Sequence, residues 1–112
     1  MNKKEFFELV ENNYSYVEYD GELSSSNVKE LAIYLLCEKI WNINMETTSF
    51  FMYYKYLDNV IGIGSYVVFL NDKILYIEIV DDDIMCVTTD YDDIVKNVKY
   101  IIKESGSEYE KK

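Results

Sequence analysis

The sequence predicts an α+β fold: a single domain whose antiparallel sheet of about four to five strands carries helices packed on one face, in the order α-β-α-β-β-β-β-α. Three observations lead there. Apolar residues recur at helical spacing near the N-terminus, after residue 27 and again after residue 90. Strand-like segments follow one another between residues 50 and 89, separated by the turn residues Asn71-Asp72 and Asp81-Asp82-Asp83. The 112 residues suffice for one core, and no linker is long enough to divide them. Helices segregated to one face of an antiparallel sheet are a common solution for such an order.

Each element has a local reason. Asn2 can cap a first helix, with Glu5 three residues later completing a capping box, and Phe6, Phe7, Leu9 and Val10 supply its apolar stripe. Tyr14 to Tyr19 is aromatic and β-branched and reads as a strand, closed by a turn at Asp20-Gly21. Ser24 to Asn27 leads into the strongest helix, with Asn27 and Glu30 as a second capping box. Its expected core face is Val28, Leu31, Ala32, Leu35, Leu36 and Ile40, finished by Trp41 and Ile43.

Phe50 to Leu57 reads as a strand from its aromatic density, although its apolar residues do not alternate. Gly62 and Gly64 suggest a bend before the next strand, Ser65 to Leu70. The Asn71-Asp72 turn connects it to Lys73 to Val80, and the aspartate triplet to Ile84 to Thr89. In the Lys73–Val80 strand, Leu75, Ile77 and Ile79 share one face. Ile74, Tyr76, Glu78 and Val80 share the other, and Glu78 marks it as the wetter. Asp90 caps the last helix, and Asp92 and Asp93 in its first turn suit the helix dipole. Ile94, Val95, Val98, Ile101 and Ile102 form its buried face. The domain is expected to span 1–104, with 105–112 as a frayed tail.

Composition narrows the chemistry. Histidine, arginine, proline and glutamine are absent, and all 11 basic residues are lysines. The usual general acid/base and the usual bidentate phosphate clamp are therefore missing. Serines lack a histidine base and a GxSxG elbow. The Gly62/Gly64 pair lacks the third glycine and following helix of a dinucleotide fingerprint. The aspartate triplet lacks the alternating acids, glycine and distal glutamate of a calcium loop. No enzyme activity, metal or cofactor is expected. Cys37 and Cys86 have no CxxC or histidine neighbour and read as buried, reduced core residues. There is no apolar run long enough to span a membrane, no signal peptide is expected at Met1–Glu5, and the expected compartment is the cytoplasm of a bacterial cell or phage-infected host.

The charge distribution suggests a role. The chain carries net charge −10, and residues 71–93 hold eight acids against Lys73 alone. Carboxylates fixed on folded turns create a directional negative field, which attracts a basic surface and repels nucleic acid. Twelve tyrosines supply contact material. The sequence is thus expected to encode a small acidic, non-catalytic inhibitor. Its expected target is a basic protein such as a nuclease or another nucleic-acid-binding effector. Two settings fit: a phage-encoded anti-defence inhibitor of the anti-CRISPR type, acting as a DNA mimic, or a bacterial immunity protein against a nuclease toxin. The expected binding residues are Asp72, Tyr76, Glu78, Asp81, Asp82, Asp83, Asp90 and Asp92, with Tyr76 as an anchor on an open sheet face. A structural protein that forms a homo-oligomer through an aromatic sheet face is the alternative, with a homodimer as its simplest form.

Overall fold

The computed structural model describes residues 1–20, 28–57 and 62–110. The predicted turn at Gly21, the Ser24–Asn27 lead-in with its Asn27 cap, Val60-Ile61 and the last two residues lie outside the described residues. The elements run α1 (Lys3–Asn13), β1 (Ser15–Asp20), α2 (Val28–Trp41), a 3-10 turn at Met45–Thr47, β2 (Ser49–Tyr56), β3 (Ile63–Leu70), β4 (Lys73–Val80), β5 (Asp83–Thr88) and α3 (Tyr91–Glu110). The strands form one antiparallel sheet in sequence order, β1-β2-β3-β4-β5. The α+β class and the order of elements are those the sequence predicts. The backbone of α3 stays helical to Glu110, past residue 104, where the expected tail begins.

The caps explain where the helices begin. Asn2 Oδ1 accepts from the Glu5 N–H at 2.8 Å, so an otherwise unpaired donor at the start of α1 is satisfied. Asp90 Oδ1 accepts from the Asp92 N–H at 2.9 Å at the start of α3. The hairpins are equally local. Leu70 pairs with Lys73 and Val80 with Asp83, which leaves two-residue loops at Asn71-Asp72 and Asp81-Asp82. Asp81 and Asp82 have φ of 49° and 70°, the left-handed pair that a type I′ hairpin requires.

The layer arrangement departs from the expectation. Helices cover both faces of the sheet, not one. On the first face, Ile33, Tyr34 and Cys37 of α2 pack with Phe50, Met52, Tyr66, Val68, Leu75, Ile77 and Ile79. On the second, Phe6 and Val10 of α1 and Ile94, Val98 and Ile101 of α3 pack with Tyr53, Val67, Phe69 and Tyr76. The result is three layers with two cores. The reason is visible in β3, which is buried from Gly64 through Leu70 on both sides. A strand covered on both faces needs apolar side chains in both directions.

The face that α2 buries is also corrected. Ile33, Tyr34 and Cys37 are fully or almost fully buried, while Leu31, Leu35 and Ile40 of the expected stripe are exposed. Apolar residues lie on almost every side of this helix, so spacing alone does not select one face.

Candidate partner-binding surface

The eight expected residues do not form one patch. Asp72 sits in the β3–β4 turn and Asp81-Asp82 in the β4–β5 turn, at opposite ends of β4. An eight-residue strand is about 26 Å long. Because β5 runs back along β4, Thr88 pairs with Tyr76 and delivers Asp90 to the Asp72 end. The acids thus divide into two poles: Asp72 with Asp90, Asp92 and Asp93 at one end, and Asp81, Asp82 and Asp83 at the other.

Both poles are exposed, and hydrogen bonds hold the backbone of each. At the first, Asp90 is anchored from two sides: its Oδ1 caps α3, and its N–H donates to Thr88 Oγ1 at 3.1 Å. Asp92 and Asp93 follow in the first helical turn, where the dipole favours their charge. At the second, the Asp81 N–H donates to the Gly62 carbonyl at 3.2 Å. Asp82 Oδ1 lies 3.4 Å from Lys29 Nζ of α2, and Asp72 Oδ1 lies 3.6 Å from Lys73 Nζ. Exposed pairs of this kind contribute little and leave much of the field intact.

Tyr76 and Glu78 belong to neither pole. Tyr76 has no exposed surface and lies in the core under α1 and α3, so its expected role as an open-face anchor is ruled out. The face expected to be wet is the one these helices cover. Tyr76 hydroxyl donates to Glu78 Oε2 at 3.3 Å, which satisfies a half-buried carboxylate. Close by in the register, Ser65 pairs with Glu78 across the strands, and the buried Ser65 Oγ lies 2.7 Å from the Tyr14 hydroxyl. Burial pushes the Tyr14 and Tyr76 hydroxyls well above the usual phenol range, and Glu78 adds to both shifts. These contacts satisfy polar groups inside the core.

The cysteines are both free. Cys37 packs under α2, and burial pushes its thiol up to about 12. Cys86 packs toward the opposite face and is half-buried, more open than expected. The sheet separates them. Among the described residues no acidic or cysteine cluster is placed to hold a metal ion, and no helix is long and apolar enough to cross a membrane.

One feature escaped the sequence reading. A cavity of about 370 Å³ opens beside edge strand β1, lined by Phe7 and Glu11 of α1, Tyr16 of β1, and Phe51 and Tyr53 of β2. The signal was faint: Phe7 and Glu11 stand four apart on a helix, but their approach to Tyr16 and Phe51 depends on strand pairing distant in sequence. Comparison with protein-family models, with characterised proteins and with solved structures finds no match to this chain, so its chemistry is read from its own residues.

Proposed function

We propose that the chain is a small acidic inhibitor that works by binding, without catalysis, to a basic protein surface of the kind that contacts nucleic acid. A phage anti-defence inhibitor or an immunity protein against a nuclease toxin are the settings that fit. The observation that carries this reading is the mounting of the acid excess. The carboxylates of both poles stand on tight hairpin turns and a capped helix start, where little ordering remains to be done on binding. Charges so placed steer association with a basic partner and act mainly on its rate.

The test compares three immobilised proteins in host extract at low and at ~150 mM salt: the parent chain, D81N/D82N/D83N, and D90N/D92N/D93N. Asparagine keeps the left-handed turn and the cap while removing charge. A nucleic-acid-binding protein captured by the parent, released by salt and lost with at least one variant is expected. Equal capture by all three, or tight binding of the parent chain to DNA, overturns the reading.

A second reading, self-association, is favoured by one observation. Edge strand β5 exposes Ile84, Met85 and Val87, with a bulge where Met85 has no partner opposite. Apolar side chains exposed along an open edge strand favour self-association, while the bulge interrupts continuous strand pairing. A solution mass of one chain across the micromolar range removes that reading.

A further inference from the structure

We infer that the cavity between α1 and the β1–β2 ribbon is a binding site for an organic cation: the alkylammonium or guanidinium head of a lysine or arginine side chain on the basic partner. Four of its five described lining residues are aromatic, and the fifth is the carboxylate Glu11. The rings meet one another at tilted or edge-on angles. Phe7 stands at 84° to Tyr53 with centroids 5.8 Å apart. Tyr16 stands at 54° to Tyr53 at 5.1 Å and at 32° to Phe51 at 5.9 Å. Ring faces carry negative potential, and four rings gathered about one small space offer favourable surroundings for a cation that sheds its water.

The charge around the cavity has the matching sign. Burial is the main cause that raises the Tyr53 hydroxyl, and Glu11 and Tyr16 lie close enough to add to it. Tyr16 hydroxyl donates to Glu18 Oε2 at 3.2 Å, which ties a second carboxylate to one of the lining rings. None of the described lining residues is cationic. Lys55 shares the same face of β2, and its Nζ is engaged in donating to the Asn13 carbonyl at 3.0 Å. Tyr16 and Phe51 remain 49% and 39% exposed. Two large rings left open beside a cavity are what a host site needs and what a closed core lacks. Two acids and aromatic walls select against an anion, and they distinguish the site from a general apolar groove.

The proposal takes the source of its cation from the function proposed above, but the preference of the cavity stands apart from it. The probes are n-butylammonium and n-propylguanidinium, with butan-1-ol as the neutral control, titrated to ~100 mM while the Phe7, Tyr16, Phe51 and Tyr53 resonances are followed by NMR. Both cations are expected to shift those resonances saturably, about two- to fivefold more tightly than the alcohol. Glu11→Gln should weaken the cations and leave the alcohol unchanged. Tyr16→Leu should abolish the preference, with spectral dispersion confirming the fold. Equal affinity for cation and alcohol overturns the proposal, as does the absence of shifts at these rings. If the cavity fails while the aspartate variants still lose salt-sensitive capture, the acidic-inhibitor reading stands without it. If the cavity binds cations while no basic protein is captured, that reading falls alone.

Discussion

Tyr76 shows how far a single residue can be read. Its strand face was legible from alternation with Leu75 and Ile77, and so was its proximity to Glu78. Its burial was not, because burial depends on what lies above the sheet. The structure gives it a hydrogen bond to Glu78 and a place among the buried side chains of the second core. Tyr76→Phe leaves the half-buried Glu78 without this donor, and a loss of about 1 kcal/mol is expected. Tyr76→Ala removes the ring itself, and a loss of about 3–5 kcal/mol is expected. Urea denaturation measures both. A Phe variant as costly as the Ala variant would show that the hydroxyl, not the ring, holds the site.

At the scale of elements, turns and caps were the most legible, because they depend on neighbouring residues only. Asn2, Asp90 and the Asn71-Asp72 loop fall where the sequence places them, while the second loop is Asp81-Asp82 alone, with Asp83 already paired in β5. Gly62 was legible as a bend but not as a tie between hairpins. It has φ of 71°, and a Cβ there would stand 2.9 Å from the Asp81 nitrogen, whose N–H donates to the Gly62 carbonyl. Gly62→Ala should therefore cost about 1–3 kcal/mol through strain alone, with further loss if the β4–β5 turn shifts. Hydrogen exchange should locate the change at Asp81 and the ends of β3 and β4. Unaltered exchange there, with global stability unchanged, would mean that the turn does not depend on this glycine. The buried face of α2 is the opposite case. Its helix was plain, but an apolar periphery offers several equivalent faces, and only the sheet beneath selects Ile33, Tyr34 and Cys37.

The whole molecule carries its titration behaviour in its cores. Tyr14, Tyr66 and Tyr76 are buried, and burial is the main cause that raises all three hydroxyls above their ordinary value of 10.0. Their folded-state values exceed the unfolded ones, so the folded protein holds these protons longer. The stability they contribute is complete below about pH 10 and declines as pH rises above it. Unfolding free energy should thus be insensitive to tyrosine ionisation at neutral pH and fall steeply above pH 10. Tyrosinate absorbance should appear together with loss of structure by circular dichroism. Ionisation of all tyrosines with the fold retained would contradict the buried assignment. The same three-layer arrangement separates the two acidic poles by the length of β4 and leaves the aromatic cavity beside β1, away from the acid-rich segment.

The sequence by itself determined the α+β class, the order of elements, the hairpin turns, the helix starts and the negative charge. Each of these follows from side-chain spacing, from turn chemistry within a few residues, or from simple composition. Only the tertiary structure decided that helices cover both faces of the sheet, that Tyr76 lies inside, that the acids form two poles, and that Phe7, Glu11, Tyr16, Phe51 and Tyr53 surround one cavity. One hint of the double covering was present in the failure of Phe50–Leu57 and Ser65–Leu70 to alternate, since strands buried on both faces read as continuous apolar runs. The rest depends on pairings such as Tyr16 with Tyr53, which join residues distant along the chain and are settled by packing, not by local preference.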